Sequence, residues 1–116
     1  RLVFTFHHWD ANAWAELTIA LKQAGFKLMN AYVVFSEHPI SVHINNLNSI
    51  KHDSILVLAP QEVKSSHHWY PLAQIDTGDS ENFCRQCGAA LGWLLKSTHS
   101  PAEIRVIWKS LIQGKG

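Results

Sequence analysis

The sequence predicts an α/β fold in which a strand–helix–strand unit carries an antiparallel edge strand and is followed by a helical C-terminal segment. Three observations predict it: a short apolar run at residues 2–6, an amphipathic stretch that starts after Asp10 and stops at Gly25, and two further β-rich runs at residues 28–35 and 54–59. With 116 residues, 47% hydrophobic and 16% charged, the chain has room for one modest core and lacks the composition of a disordered segment. It has no apolar run long enough to span a bilayer, so no membrane partner is expected. A formal net charge of +1, with Lys and Arg scattered, forms no basic stripe; charge alone neither argues for nucleic acid nor excludes it.

Each element has its own local signal. LVFTF at residues 2–6 has the pattern of a strand buried on both faces, as in a parallel sheet. Asp10 suits an N-cap, Trp14, Leu17, Leu21 and Ala24 recur at helical spacing, and Gly25 closes the helix at its C′ position. LMNAYVVF and SILVLA, the latter ended by Pro60, are the second and third strands. The polar stretch SEHPISVHINNLNSIKHD between them has no clean period, so the two strands are expected to pair antiparallel as an edge hairpin. QEVKSSHHWYPLAQIDTGDS, with Pro71 and Gly78, reads as a linker or arm. Ser80 suits the cap of a helix with Phe83, Cys87, Ala90, Leu91 and Leu94 on one side. SPAE at residues 100–103 is a capping box with Pro at the first helical position, and Ile104, Ile107, Trp108 and Leu111 line a face of that last helix. The expected division is therefore an α/β part at 1–62, a linker or arm at 63–79 and a helical segment at 80–116.

Arg1 is followed at once by the strand-like run, with no secretory-signal pattern, which predicts a piece of a longer chain. The two cysteines, Cys84 and Cys87, are too few and too close for a disulfide framework and point to a reducing, cytoplasmic setting. CRQCG has the shape of one zinc knuckle, two thiolates converging on a metal above a glycine turn. A structural zinc needs four ligands, and only His99 with His67 or His68 could complete the set, at unusual spacing. The competing reading makes both cysteines small reduced hydrophobes, one helical turn apart and facing the core.

Of the eight histidines, two adjacent pairs stand out, His7–His8 and His67–His68. His7 and His8 fall where the first strand ends, and ligands of open α/β sheets bind outside the carboxyl ends of the strands. They are either part of such a site or polar loop residues, one of them bonded to Asp10. Ser36 and Glu37 end the second strand, where a carboxylate can serve a base, a ribose or the backbone amides of its own loop. Trp9, Trp69 and Tyr70 lie in expected loops and either stack on bases or bury against the sheet; Trp14, Trp93 and Trp108 lie on apolar helical faces and are assigned to the core. The sequence has no glycine-rich loop after a strand, no P-loop, no GxSxG and no HExxH, so no catalytic residue is assigned within it.

Together, RLVFTFHHWDANAWAELTIALKQAGFKL, AYVVFSEHP and KHDSILVLAP resemble the distal part of the catalytic domain in large adenine-specific DNA methyltransferases. These are zinc-ribbon-containing enzymes of restriction and phage-defence systems. Phe6, His7 and His8 match a Phe-His-His strand end, Ser36 and Glu37 a Ser-Glu strand end, and Asp53 enters the last strand; the likeness covers about the first 60 residues. The resemblance implies part of a Rossmann-like sheet, parallel except for one antiparallel strand at the end of the fold. It also implies a parent enzyme that uses S-adenosylmethionine and DNA, with Phe6, His7, His8, Ser36 and Glu37 contributing to the substrate cleft. The family's FxGxG-like cofactor loop and DPPY-type motif are absent from this sequence. Those parts are expected from the remainder of the methyltransferase chain, and this portion alone is expected to be inactive. The rival expectation is a non-catalytic zinc-knuckle module, with Cys84 and Cys87 as ligands, that binds nucleic acid or a partner protein.

Overall fold

Strand β1 (Leu2–Phe6) leads directly into helix α1 (Ala11–Gln23) in a computed structural model that describes residues 1–35, 52–64 and 68–113. Asp10 caps α1 as its sequence position suggests: its backbone is extended and its carboxylate accepts from the Asn12 N–H at 3.0 Å. Gly25 follows at φ +84°, a left-handed turn that favours glycine, and sends the chain into β2 (Phe26–Phe35). β3 (His52–Pro60), α2 (Ser80–Lys96) and α3 (Pro101–Gln113) complete the described elements.

The sheet order is β1-β3-β2, and both neighbouring pairs are antiparallel. It follows that β1 and β2 run in the same direction, joined by α1, with β3 inserted between them. The α/β class and the antiparallel pairing of β2 with β3 agree with the sequence pattern. The place of the antiparallel strand does not, because β3 is central rather than an edge. Its run of Ser54 to Ala59 is apolar on both sides of the pleat, which suits a strand paired along both edges.

β1 is the second correction. The sequence reading buries it on both faces, but it is an edge strand whose Leu2, Val3 and Thr5 are exposed, and only Phe4 and Phe6 pack on the core. A short run of Val, Phe and Thr looks alike in the two positions. What decides between them is pairing with a strand far along the chain.

A bulge at Met29 sets the register of β2: Leu28 pairs with Leu58, and Asn30 with Val57. The extra residue keeps Leu28 and Ala31 on the same buried side of the sheet. Ala31 there meets α2 at Gly88, where an added Cβ would lie 3.0 Å from the Ala31 Cβ. The described helices pack on this side only, α2 over β2 and β3, α1 beside it, and α3 against α1. The opposite side carries Val3, Thr5, Tyr32, Val34, Ile55 and Val57, with Val3 56% and Tyr32 52% exposed.

The C-terminal helices form as expected, with details shifted. Asp79, one residue before Ser80, caps α2 and accepts from the Asn82 N–H at 3.1 Å. The SPAE box closes fully: the Glu103 N–H donates to Ser100 Oγ at 3.2 Å and the Ser100 N–H to Glu103 Oε1 at 2.8 Å. α3 packs on α1, with Trp14 and Trp108 stacked at 5.4 Å and Arg105 bonded to Glu16 at 2.7 Å. The irregular segment 68–79 joins the same core. Trp69 donates to the Leu28 carbonyl at 3.0 Å, and the Ile75 side chain is buried while its N–H donates to the Leu111 carbonyl at 2.9 Å. No helix among the described residues is long and apolar enough to cross a membrane.

Candidate functional site

The carboxyl ends of β1 and β2 and the start of β3 meet at one end of the sheet, because β1 and β2 run together and β3 runs against them. Phe6 pairs with Ser54 there, so the next residue, His7, falls opposite Asp53. The His7 Nδ1 and the Asp53 carboxylate are hydrogen-bonded. The two side chains are 48% and 19% exposed, so the pair lies at the surface with its carboxylate partly covered.

His8 is held by different partners. Its Nδ1 accepts from the Asp10 N–H at 3.1 Å, its carbonyl accepts from Trp14 Nε1 at 2.8 Å, and its ring stacks on Phe6 with 6.4 Å between centroids. The expected link between the histidine pair and Asp10 is thus present, made by the Asp10 backbone. Phe6 itself faces the helices, its ring edge-on to Trp14 at 4.7 Å. Trp9 packs on Phe83 at 4.3 Å.

β3 and α2 add a second group beside the first. His52 Nδ1 and Ser80 Oγ are 2.9 Å apart, the His52 ring stands edge-on to Phe35 at 5.4 Å, and the Cys84 thiol donates to the His52 carbonyl at 3.4 Å. The sequence reading missed Asp53 as a partner of His7 and His52 as a partner of Ser80. Both depend on β3 lying against β1 and under α2, and no local pattern records that pairing.

Ser36 and Glu37 lie outside the described residues, as does His67. Phe35, which precedes Ser36, ends β2 at this same edge and is 63% exposed. Of the expected aromatic loop residues, Trp69 packs against Gly92 of α2 and Tyr70 is exposed.

Cys84 and Cys87 sit on the continuous helix α2, both buried and both reduced. Gly88 therefore provides close approach to Ala31 rather than a turn beneath a metal. Burial pushes the Cys84 thiol above its ordinary pKa, against a lowering bond to Ser54 and with a further push from Asp53. Burial, then the neighbouring Cys84, pushes Cys87 well above it. Protonated thiols of this kind pack as small hydrophobes, and a metal would have to displace their protons. No group of three or more His, Cys, Asp or Glu able to hold a metal ion occurs among the described residues.

The chemistry on offer at the sheet end is therefore hydrogen bonding and ring stacking, from His7, His8, Asp53, His52 and Phe35. No family model matches the chain, and no curated protein or solved structure matches it.

Proposed function

We propose that this chain forms the distal part of the catalytic domain of an S-adenosylmethionine-dependent DNA (adenine-N6) methyltransferase of the restriction or phage-defence kind, acting in the cytoplasm. Its role is to line the cleft that receives the flipped adenine. The observation that carries the reading is the position of His7, His8 and Asp53 at the carboxyl end of two same-direction strands joined by a helix. Some support also comes from β3, which among the described strands is the one that runs against the other two, since the family's sheet likewise has one antiparallel strand, although β3 lies between its neighbours rather than at an edge.

A base that leaves the stack is read by hydrogen bonds along its edge and by stacking on its face. His7 and His8 have the groups for the first task, and Phe35 with the imidazoles for the second. Ser36 and Glu37, directly after Phe35 in the sequence, belong to the same proposal. The residues present do not fit the cofactor: the β1–α1 connection is His7, His8, Trp9 and Asp10, without the glycines a close backbone approach to it needs. Cofactor binding and methyl transfer are therefore assigned to the remainder of the enzyme. Cys84 and Cys87 offer two donors to a zinc, and its other ligands would also have to come from elsewhere.

The test is to join this chain to the rest of its enzyme and replace His8 with alanine. Loss of one bond and one stacking surface predicts a fall of about tenfold in kcat/KM for DNA, equivalent to about 1.4 kcal/mol. Unchanged kinetics at subsaturating DNA would overturn the assignment of His8 to the cleft.

A further inference from the structure

Three contacts fix His8 and leave one nitrogen of its ring for a ligand. The Trp14 indole, fully buried on α1, donates to the His8 carbonyl at 2.8 Å and holds the main chain. Phe6 stacks on the imidazole with 6.4 Å between centroids. The Asp10 N–H donates to Nδ1 at 3.1 Å, so in the neutral ring the lone pair lies on Nδ1 and the proton on Nε2. His8 is exposed, and among the described residues nothing bonds its Nε2. We propose that His8 is a specificity-determining residue: clamped at Nδ1 by the Asp10 amide, it offers only an N–H donor and takes its ligand through an acceptor atom.

A neutral imidazole without such a clamp can exchange its donor and acceptor nitrogens and meet either kind of ligand atom. The clamp removes that choice before any ligand arrives. It is a main-chain group, and the start of α1 holds it in place: the Asp10 carboxylate caps the helix by accepting from the Asn12 N–H at 3.0 Å. Asp10 is thereby a positioning residue that acts through His8. On an extruded adenine the acceptors are ring nitrogens, while the exocyclic amino group presents donors. His8 therefore reads a ring nitrogen and leaves the amino group to the methylating part of the enzyme. That last step rests on the methyltransferase reading; the clamp does not.

Proton–nitrogen correlation spectra of the 116-residue chain, at a pH well above the ordinary histidine range, test the clamp. The expected result is a protonated Nε2 on His8 and a scalar coupling across the hydrogen bond, from the Asp10 amide nitrogen to His8 Nδ1. A missing coupling, or a proton on Nδ1, overturns the proposal in the wild-type chain alone. Two variants that both lose the carboxylate cap isolate the amide. Asp10→Ala keeps the N–H and should keep the His8 pattern. Asp10→Pro removes it at a φ of −77° that proline adopts, and a population with the proton on Nδ1 should appear. Identical tautomer populations in the two folded variants also overturn the clamp. The ligand step is tested in the chain joined to the rest of its enzyme, on DNA carrying CH in place of N1, N3 or N7 of the target adenine. One of the three should lower kcat/KM about tenfold with wild-type His8 and cause no such loss in His8→Ala. Equal losses in both proteins, or none, overturn the base contact and, with the coupling intact, leave the clamp standing.

Discussion

Trp108 donates its indole N–H to Thr18 Oγ1 at 2.9 Å, and Thr18 in turn donates to the Trp14 carbonyl at 2.8 Å, so one hydroxyl joins α3 to α1 inside the core. Both Trp108 and Thr18 are fully buried. Thr18→Val preserves shape but leaves the indole N–H without its acceptor. The expected loss is about 1–3 kcal/mol, measured by urea denaturation, with Thr18→Ser retaining most of the stability. Equal stability of the valine variant would show that the bond contributes nothing net.

Gly92 sets two effects against each other. Alanine at a helix-interior glycine should gain about 1 kcal/mol from propensity alone. Here its Cβ would lie 2.4–2.6 Å from the Trp69 ring, at atoms in the middle of the indole that cannot swing aside cheaply. Overpacking of this kind costs about 1–3 kcal/mol. The expected result for Gly92→Ala is net destabilisation and red-shifted tryptophan fluorescence, as Trp69 leaves α2 and gives up its bond to the Leu28 carbonyl.

The Lys22 ammonium, from α1, caps the far end of α2 by donating to the carbonyls of Leu94 at 3.4 Å, Leu95 at 3.3 Å and Ser97. It places a positive charge at a helix C-terminus, the favourable end for a cation. Lys22→Met keeps the stem and removes the charge. A loss of about 1 kcal/mol in chemical denaturation is expected, with hydrogen exchange accelerated at the last turn of α2.

The buried thiols predict a pH dependence. Folding raises the Cys84 and Cys87 pKa values, so the unfolded chain releases these protons first, and stability is full below the ordinary thiol pKa of about 8.5. Stability is lost as pH rises from there toward the raised folded values. The Cys84→Ala/Cys87→Ala variant should lack that part of the decline. Both native thiols should also resist labelling by an aromatic disulfide reagent until denaturant is added.

Val3 stands exposed on the edge strand, on the sheet side that carries no described helix. Val3→Lys should change stability by no more than about 0.5 kcal/mol while lowering light scattering at high concentration, since a charge on an edge blocks strand-to-strand pairing.

The features legible in the sequence were those written within a few residues. Asp10, Gly25 and the Ser100/Glu103 box act on backbone groups one to three positions away, and each is in place. The shift of the α2 cap from Ser80 to Asp79 is a choice between two adjacent capping residues, settled when Ser80 turns to His52. Long-range partners were not legible. The His7–Asp53 bond, the Lys22 cap and the Thr18–Trp108 bond each join segments that the chain brings together only after folding. The edge position of β1 was hidden for the same reason.

The insertion of β3 between β1 and β2 governs the order in which the sheet can assemble. Among the described strands β1 pairs only with β3, and β3 follows both β1 and β2 in the sequence. Until β3 docks, β1 and α1 can form only local structure, and the apolar residues of β1 wait without a ladder. Closure of the sheet is a late, long-range event, so the folding rate should follow the docking of β3 rather than the formation of any helix.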